Sequence, residues 1–230
     1  MKTLGLIGGM SWESTVVYYQ ALTRLARARL GGQASAKLLI WSDDFAPMAA
    51  MQAAGDWDAL TRMMIAAARK LEAGGAEALL ICANTMHKMA DEVAAATAIP
   101  VIHIADETAA RLKAAGAKKP LLLATRFTME GGFYVERLAR SAVTAFTPKP
   151  EERARLHAII YDELIQGVFS DASRAYLVSV VARAREEEGA DAVIFGCTEF
   201  GLLAPQEQTP LPIFDTALIH AEAGMRFALS

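Results

Sequence analysis

Two short polar clusters end apolar runs of this chain: Cys82-Ala83-Asn84-Thr85 after ALLI, and Gly196-Cys197-Thr198-Glu199 after AVIF. They hold its two cysteines. A thiol at a strand end, beside amides that open a helix, has its thiolate favoured by those dipoles and can act as nucleophile or proton-abstracting base. Free cysteine is also among the most buried residue types and often only packs. Context separates the two. Cys197 runs straight into Thr198 and Glu199, a polar group with little packing purpose, and is read as the chemical cysteine. When GAEALLICANT (75–85) is laid over GADAVIFGCTE (189–199), Ala83 falls opposite Cys197 and Cys82 opposite Gly196. Successive strand side chains point to opposite faces, so Cys82 is expected to turn away from the side Cys197 uses and is read as packing.

Asn84, Thr85, Thr125 and Thr198 all lie just past apolar runs. Neutral donors of this kind, together with backbone amides, suit a carboxylate better than a phosphate, since no glycine-rich loop with a lysine is present. GLIGGMS (5–11) has three glycines after a strand but lacks the G-x-G-x-x-G spacing, so its glycines are read as allowing a tight turn or a close backbone approach. His87 and His103 lie near the junctions and are read as structural. Apart from the loose pair Cys82 and His87, no cysteine or histidine has a partner at ligand spacing, and no metal site is expected.

The elements that must position these residues are visible as short apolar runs: LGLIG (4–8), KLLIW (37–41), ALLIC (78–82), PVIHI (100–104), PLLLA (120–124), AVIFG (192–196) and PIFD (212–215). Helix-period segments rich in Ala, Leu, Arg and Glu separate them. Strands without polar alternation are buried on both faces, and their alternation with amphipathic helices calls for an α/β fold with parallel sheets. The chain also repeats itself. Besides the match at 75–85 and 189–199, IPVIHIADETA (99–109) lies over LPIFDTALIHA (211–221), and Tyr18 and Leu22 correspond to Tyr134 and Leu138. Two similar open α/β domains follow, the first over 1–112 and the second over 113–210, with 211–230 returning to the first. Ligands of such sheets sit at the carboxyl ends of the strands, which places both polar clusters at an expected cleft.

At 230 residues and 53% hydrophobic content the chain can fill a core. A net charge of -3, spread over 23 basic and 26 acidic residues with no basic stripe, argues against nucleic acid or an anionic membrane surface as partner. No segment approaches the roughly 18 apolar residues of a membrane span, and MKTLGLIGG is too short for a signal-peptide core, so the chain reads as cytoplasmic. Unpaired cysteines fit such a reducing compartment. The expected partner is a small molecule.

GLIGGMSWEST, CANTMHK, TRFTME, FGCTE and LPIFDTA together resemble the aspartate/glutamate racemase family, most closely a broad-specificity branch, and the resemblance covers essentially the whole chain. It implies two pseudo-symmetric α/β domains, inversion of amino-acid stereocentres without pyridoxal phosphate or other cofactor, and a homodimer. Standard members oppose two cysteines across the substrate. Carried over by position, Cys197 matches one catalytic cysteine, while Ala83 stands where the other belongs; Asn84, Thr85 and His87 match their motif. Met10, Gln52, Ala83, Asn84, Thr85, Thr125, Thr198 and Glu199 form the implied substrate-binding set. The lysine implied near ELIQG is Ile165, and the arginine implied after the second strand has no counterpart in DDFAPMAAMQ. Both help hold a distal carboxylate in aspartate-type members, so strict aspartate specificity does not carry over.

The expected activity is a racemase, an isomerase, with Cys197 as thiol acid/base in an asymmetric site. Two alternatives stand beside it: a single-cysteine isomerase or lyase acting on a small carboxylate, and a non-catalytic carboxylate-binding protein.

Overall fold

Leu4–Gly8 (β1) is buried at every position and is hydrogen-bonded in parallel to Leu38–Ser42 (β2) on one side and Ala78–Ile81 (β3) on the other. The computed structural model describes residues 1–230. Trp12–Leu30 (α1) follows β1, its amino end capped by the Ser11 hydroxyl, which accepts from the Ser14 amide. After β2 come Phe45–Ala54 (α2) and Trp57–Ala73 (α3), capped by Asp44 and Asp56. A 3-10 turn, Thr85–Met89, leads from β3 into Ala90–Ala95 (α4). Then follow Ile104–Ala114 (α5), Pro120–Ala124 (β4), Arg126–Glu130 (α6), Phe133–Ala139 (α7) and Pro150–Ala158 (α8). The last stretch holds a π-turn at Ile159–Glu163, Asp171–Glu188 (α9), Ala192–Gly196 (β5), Thr198–Leu203 (α10), Ile213–Asp215 (β6) and Thr216–Leu229 (α11).

The two sheets have equivalent topology. The first runs β2-β1-β3 and is extended beyond β3 by a single parallel bridge, Leu79 to Val101; the second runs β4-β5-β6 and is extended beyond β4 by one bridge, Leu121 to Phe146. Thus β4 takes the place of β1, β5 that of β3, and β6 that of the Val101 bridge. The hydrogen bonds repeat as well: the Leu79 amide donates to the Pro100 carbonyl at 2.9 Å, and the Val193 amide to the Pro212 carbonyl at 2.9 Å. Tyr18 and Leu22 in one unit, Tyr134 and Leu138 in the other, are all fully or almost fully buried. The fold is the α/β, parallel-sheet architecture anticipated from the uninterrupted apolar runs.

Two compact units form, one of Met1–Ile104 with His220–Ser230, the other of Ala105–Ile219. Their limits differ from the 112 and 210 read from the sequence. The ladder between β5 and β6 holds residues 213–215 in the second unit, so the chain leaves that unit only within α11. Helix α5 belongs almost wholly to the second unit although it follows the last bridge of the first sheet. PVIHI is not a full strand. Pro100 gives no amide to a ladder, and α5 already begins at Ile104, which leaves Val101 as the one bridged residue.

Candidate active site

In the second unit, β5 delivers Cys197 to the residue before α10. Val193, Phe195 and Cys197 share one hydrophobic cluster, as expected for alternate positions on one strand face. The Cys197 thiol donates to Glu199 Oε2 at 2.9 Å, and the Thr198 hydroxyl donates to the same oxygen at 2.7 Å. All three residues are buried. Burial first, and the Glu199 carboxylate second, push the Cys197 thiol well above its ordinary value. The group therefore rests as a thiol whose proton already points at a carboxylate.

Asp215, at the end of β6, stands behind this pair. Its Oδ1 accepts from the Ala217 and Leu218 amides at 3.0 and 3.1 Å. Burial, offset in part by those amides, lifts its carboxyl to about 6, with Glu199 adding to the rise. A Cβ on Gly201 would lie 2.6 Å from Asp215 Oδ2, so glycine is what lets α10 pass over the carboxylate. On the neighbouring strand Ala124 is in register with Gly196, which makes Thr125 the neighbour of Cys197. The Thr125 hydroxyl lies 3.4 Å from that of Thr128.

The first unit presents the equivalent strand end without a thiol. Leu79, Ile81 and Ala83 belong to one cluster, the face that corresponds to Val193, Phe195 and Cys197. Cys82 is fully buried on the other face, where its thiol reaches only the Leu80 carbonyl at 3.9 Å, and burial drives its thiol far up. Ala83 is partly exposed; Asn84 and Thr85 are buried at the turn that follows. Gln52, on α2, is buried and donates through Nε2 to Met86 Sδ at 3.3 Å, next to Thr85. Met10 is buried in the cluster that contains Met48 and Met86.

His87 fixes the loop. Its Nδ1 donates to the Ala83 carbonyl at 2.9 Å and its Nε2 accepts from the Ile104 amide at 3.2 Å, so the neutral Nδ1–H tautomer fits both. With both nitrogens engaged it has no proton to exchange with a ligand. His103 packs edge-on against it with ring centroids 4.8 Å apart. The glycines of GLIGGMS make a tight turn: Gly9 has φ +83, its amide donates to Thr15 Oγ1 at 2.9 Å, and a Cβ there would lie 2.2 Å from the Asp43 carbonyl oxygen. No group of three or more His, Cys, Asp or Glu residues is arranged to hold a metal ion, and no helix is long and apolar enough to cross a membrane.

Asp215, Arg126, His157 and Tyr161 were not among the residues singled out in the sequence. Asp215 lies inside the LPIFDTA motif, and Arg126 inside TRFTME. His157 and Tyr161 come from α8 and the π-turn and carry no motif of their own.

Each of the two units is built on a parallel sheet, and one presents a buried thiol hydrogen-bonded to a carboxylate. The sequence matches the Asp/Glu/Hydantoin racemase family over residues 7–224, and the chain belongs to that family. The crystal structure of a protein assigned provisionally as an Asp/Glu racemase from Yersinia pestis superposes with a TM-score of 0.92 at 44% identity, covering 100% of both chains. That of an aspartate racemase homologue from Pyrococcus horikoshii OT3 gives a TM-score of 0.88 at 33% identity, again over 100% of both. Broad specificity amino-acid racemase RacX of Bacillus subtilis (strain 168) is 24% identical over 170 residues, 73% of this chain and 72% of RacX.

Proposed function

We propose that the protein is a pyridoxal-phosphate-independent racemase of small amino acids in which Cys197 is the thiol acid/base and Ala83 leaves the opposite face without one. The observation that carries this reading is the 2.9 Å hydrogen bond from the Cys197 thiol to Glu199. An incoming ammonium group favours ionisation in a site of negative groups, so the thiol proton passes to Glu199 and the thiolate removes the proton from Cα. Negative charge then develops on the α-carboxylate, where the hydroxyls and amides at Asn84, Thr85 and Thr125 and the backbone amide of Thr198 stabilise it. Met10, Gln52, Ala83 and Glu199 complete the substrate-binding set.

The second proton must reach the other face of Cα. His87 is committed at both nitrogens, and Cys82 is buried on the wrong side of its strand. Water, or the Thr85 hydroxyl, remains as the donor. Return from the first face gives exchange without inversion, and return from the second gives the enantiomer. With one thiol in register, a single-cysteine isomerase or lyase on a small carboxylate is the second reading. Incubation with amino acids in deuterated water separates them: inversion with deuterium at Cα supports the racemase, and a product of different constitution supports the alternative.

Cys197→Ser is the direct test, because a serine hydroxyl is far less acidic than a thiol. Loss of a positioned acid/base group costs about 10²–10⁴-fold in rate. Exchange within about tenfold of the parent overturns the assignment of Cys197. The same reading carries a homodimer and a cytoplasmic setting, checked by sedimentation equilibrium and cell fractionation.

A further inference from the structure

Helix α1 carries two apolar stripes, and the fold of the first unit uses one of them. Thr15, Tyr18, Leu22 and Ala26 are buried. The Thr15 side chain lies against the Gly8 position of β1, and the Tyr18 hydroxyl meets His220 of α11 at 2.7 Å. The second stripe runs along the flank turned away from α11, through Trp12, Val16, Tyr19, Thr23, Ala26 and Leu30. Trp12 is 65% exposed, Val16 40%, Tyr19 51% and Leu30 54%. Alternate spacings of four and three residues are those of a seam that receives a second helix. Ile40 widens the stripe: it is 41% exposed, stands in register with Leu6 on the face that α1 covers, and belongs to the edge strand β2.

The charges beside the seam select the kind of helix that fits. Glu13 is the only acidic residue of α1 and lies in its first turn, while Arg24, Arg27 and Arg29 lie toward its other end. Two such helices running in the same direction would hold arginine ends together. Running in opposite directions, they set the acidic end of each against the basic end of the other and oppose their dipoles. The seam has the symmetry that this arrangement needs. Trp12 and Leu30, Val16 and Ala26, and Tyr19 and Thr23 are placed evenly about residue 21. A two-fold axis there lays every seam residue on another seam residue, as an isologous contact requires. On the solvent side of the seam Glu13, Gln20 and Arg27 follow one another at intervals of seven, so the same axis brings Glu13 of each copy to Arg27 of the other. Arg27 is exposed, and one Glu13 carboxylate oxygen has no hydrogen-bond partner within the chain.

We propose that the flank of α1 formed by Trp12, Val16, Tyr19 and Leu30 is where a second copy of this chain docks, α1 against α1 in opposite directions about a two-fold axis near residue 21. The contact gives the homodimer its surface, uses only residues of the first unit, and stands whether or not Cys197 is the acid/base. A membrane surface is the other partner that a helix with Trp, Tyr and Arg can take. It fits less well, because a helix lying on an anionic interface carries cations along its whole polar face, and here they are gathered at one end.

Sedimentation equilibrium of the full chain tests it. The parent is expected to be a dimer. Tyr19→Glu, at a half-exposed position that the fold tolerates, is expected to raise the dimer Kd about 100-fold or more with an unchanged far-UV circular dichroism spectrum. Arg27→Glu sets like charges together at both ends of the helix pair and is expected to raise Kd about tenfold. Adding Glu13→Lys restores opposite charges and is expected to bring Kd back to within about threefold of the parent. A monomeric parent overturns the proposal, and so does a dimer that Tyr19→Glu leaves intact. Failure of Glu13→Lys to rescue Arg27→Glu overturns the antiparallel pairing. A monomeric parent that floats with phosphatidylcholine/phosphatidylserine vesicles, and no longer does so as Tyr19→Glu, gives the stripe to a membrane instead. Kd is read without turnover, so the fate of the racemase reading does not enter the result.

Discussion

The Cys197 thiol and the Glu199 carboxylate, two residues apart, meet at 2.9 Å with Thr198 donating to the same oxygen from the other side. A strand end turning into a helix makes this possible, because the thiol is the last extended side chain and the carboxylate lies in the first turn beyond it. Glu199 then has two effects of opposite use. Its charge disfavours the thiolate in the free enzyme, and its oxygen is the nearest place for the thiol proton to go.

Glu199→Gln separates those effects. Without the negative charge the Cys197 pKa falls, so alkylation of Cys197 by iodoacetamide should begin at lower pH than in the parent. Without the acceptor, α-proton exchange should drop by about 10²-fold or more. Faster alkylation together with slower exchange is the expected pair of results. An exchange rate equal to the parent's would remove Glu199 from the proton path.

The alternation of side chains along β3 leads to a second prediction. Ala83 shares the face of Leu79 and Ile81, while Cys82 is sealed on the opposite one. Cys82→Ala should leave the racemisation rate within about twofold and cost about 1 kcal/mol of stability, the loss of one buried sulfur. On the proposed racemase reading, Ala83→Cys should raise two-way racemisation, with the larger gain in the direction whose proton the new thiol removes. Forward and reverse rates decide it. Loss of activity in Cys82→Ala with no gain in Ala83→Cys would show that the register is wrong.

The paired sheets were legible because buried parallel strands leave continuous apolar runs, and because the repeat places each run twice. Phe146 was missed since SAVTAFTP has no such run, and a single bridge needs none. PVIHI looked like a strand for the converse reason: its apolar residues meet the core as the start of a helix. Cys197, Thr125, Thr198 and Glu199 could be read from position, because each lies within three residues of a strand end. Arg126 follows one too, but an arginine opening a short helix looks like any solvated residue. Tyr161 meets the cluster that holds Cys197 only through the packing of the π-turn, which no local pattern encodes. The handover of α5 and α11 depends on where helices dock, and sequence spacing is silent on that.

Two glycines with positive φ should respond differently to alanine. Gly9 has φ +83 and a Cβ there would meet the Asp43 backbone at 2.2 Å, whereas Gly55, with φ +71 and ψ +20 at the end of α2, has open space around it. Gly55→Ala should cost about 1 kcal/mol, the strain of a left-handed alanine alone. Gly9→Ala adds a collision with main chain and should cost about 3 kcal/mol or more. Urea midpoints of the two variants measure the difference; equal costs would show that the β1 turn can open without penalty.

Asp215 and His220 should give stability opposite slopes with pH. Asp215 binds its proton more tightly in the folded chain, with a carboxyl raised from 3.8 to about 6 chiefly by burial. Its contribution is therefore complete below about pH 4 and is lost as pH rises through 6, amounting to about 3 kcal/mol. His220 is the reverse case. It is buried between the Tyr18 hydroxyl at 2.7 Å and the Ile102 carbonyl at 2.7 Å, and burial lowers it from 6.5 to about 3. Its contribution is present above pH 6.5 and is lost as pH falls toward 3, by up to about 5 kcal/mol. Between pH 4 and 6 the unfolded chain gives up a proton at 215 that the folded chain keeps, and gains one at 220 that the folded chain refuses, so the two slopes offset. Asp215→Asn keeps an oxygen for the Ala217 and Leu218 amides but cannot titrate. Relative to the parent, its stability should climb by about 3 kcal/mol from pH 4 to 6 and stay level outside that window. His220→Gln should show the opposite trend, gaining on the parent as the pH falls from 6.5 to 4, whatever its absolute stability. Urea unfolding of both variants and the parent at four or five pH values gives the slopes. Parallel curves for Asp215→Asn and the parent would mean that Asp215 is not held above its ordinary carboxyl range.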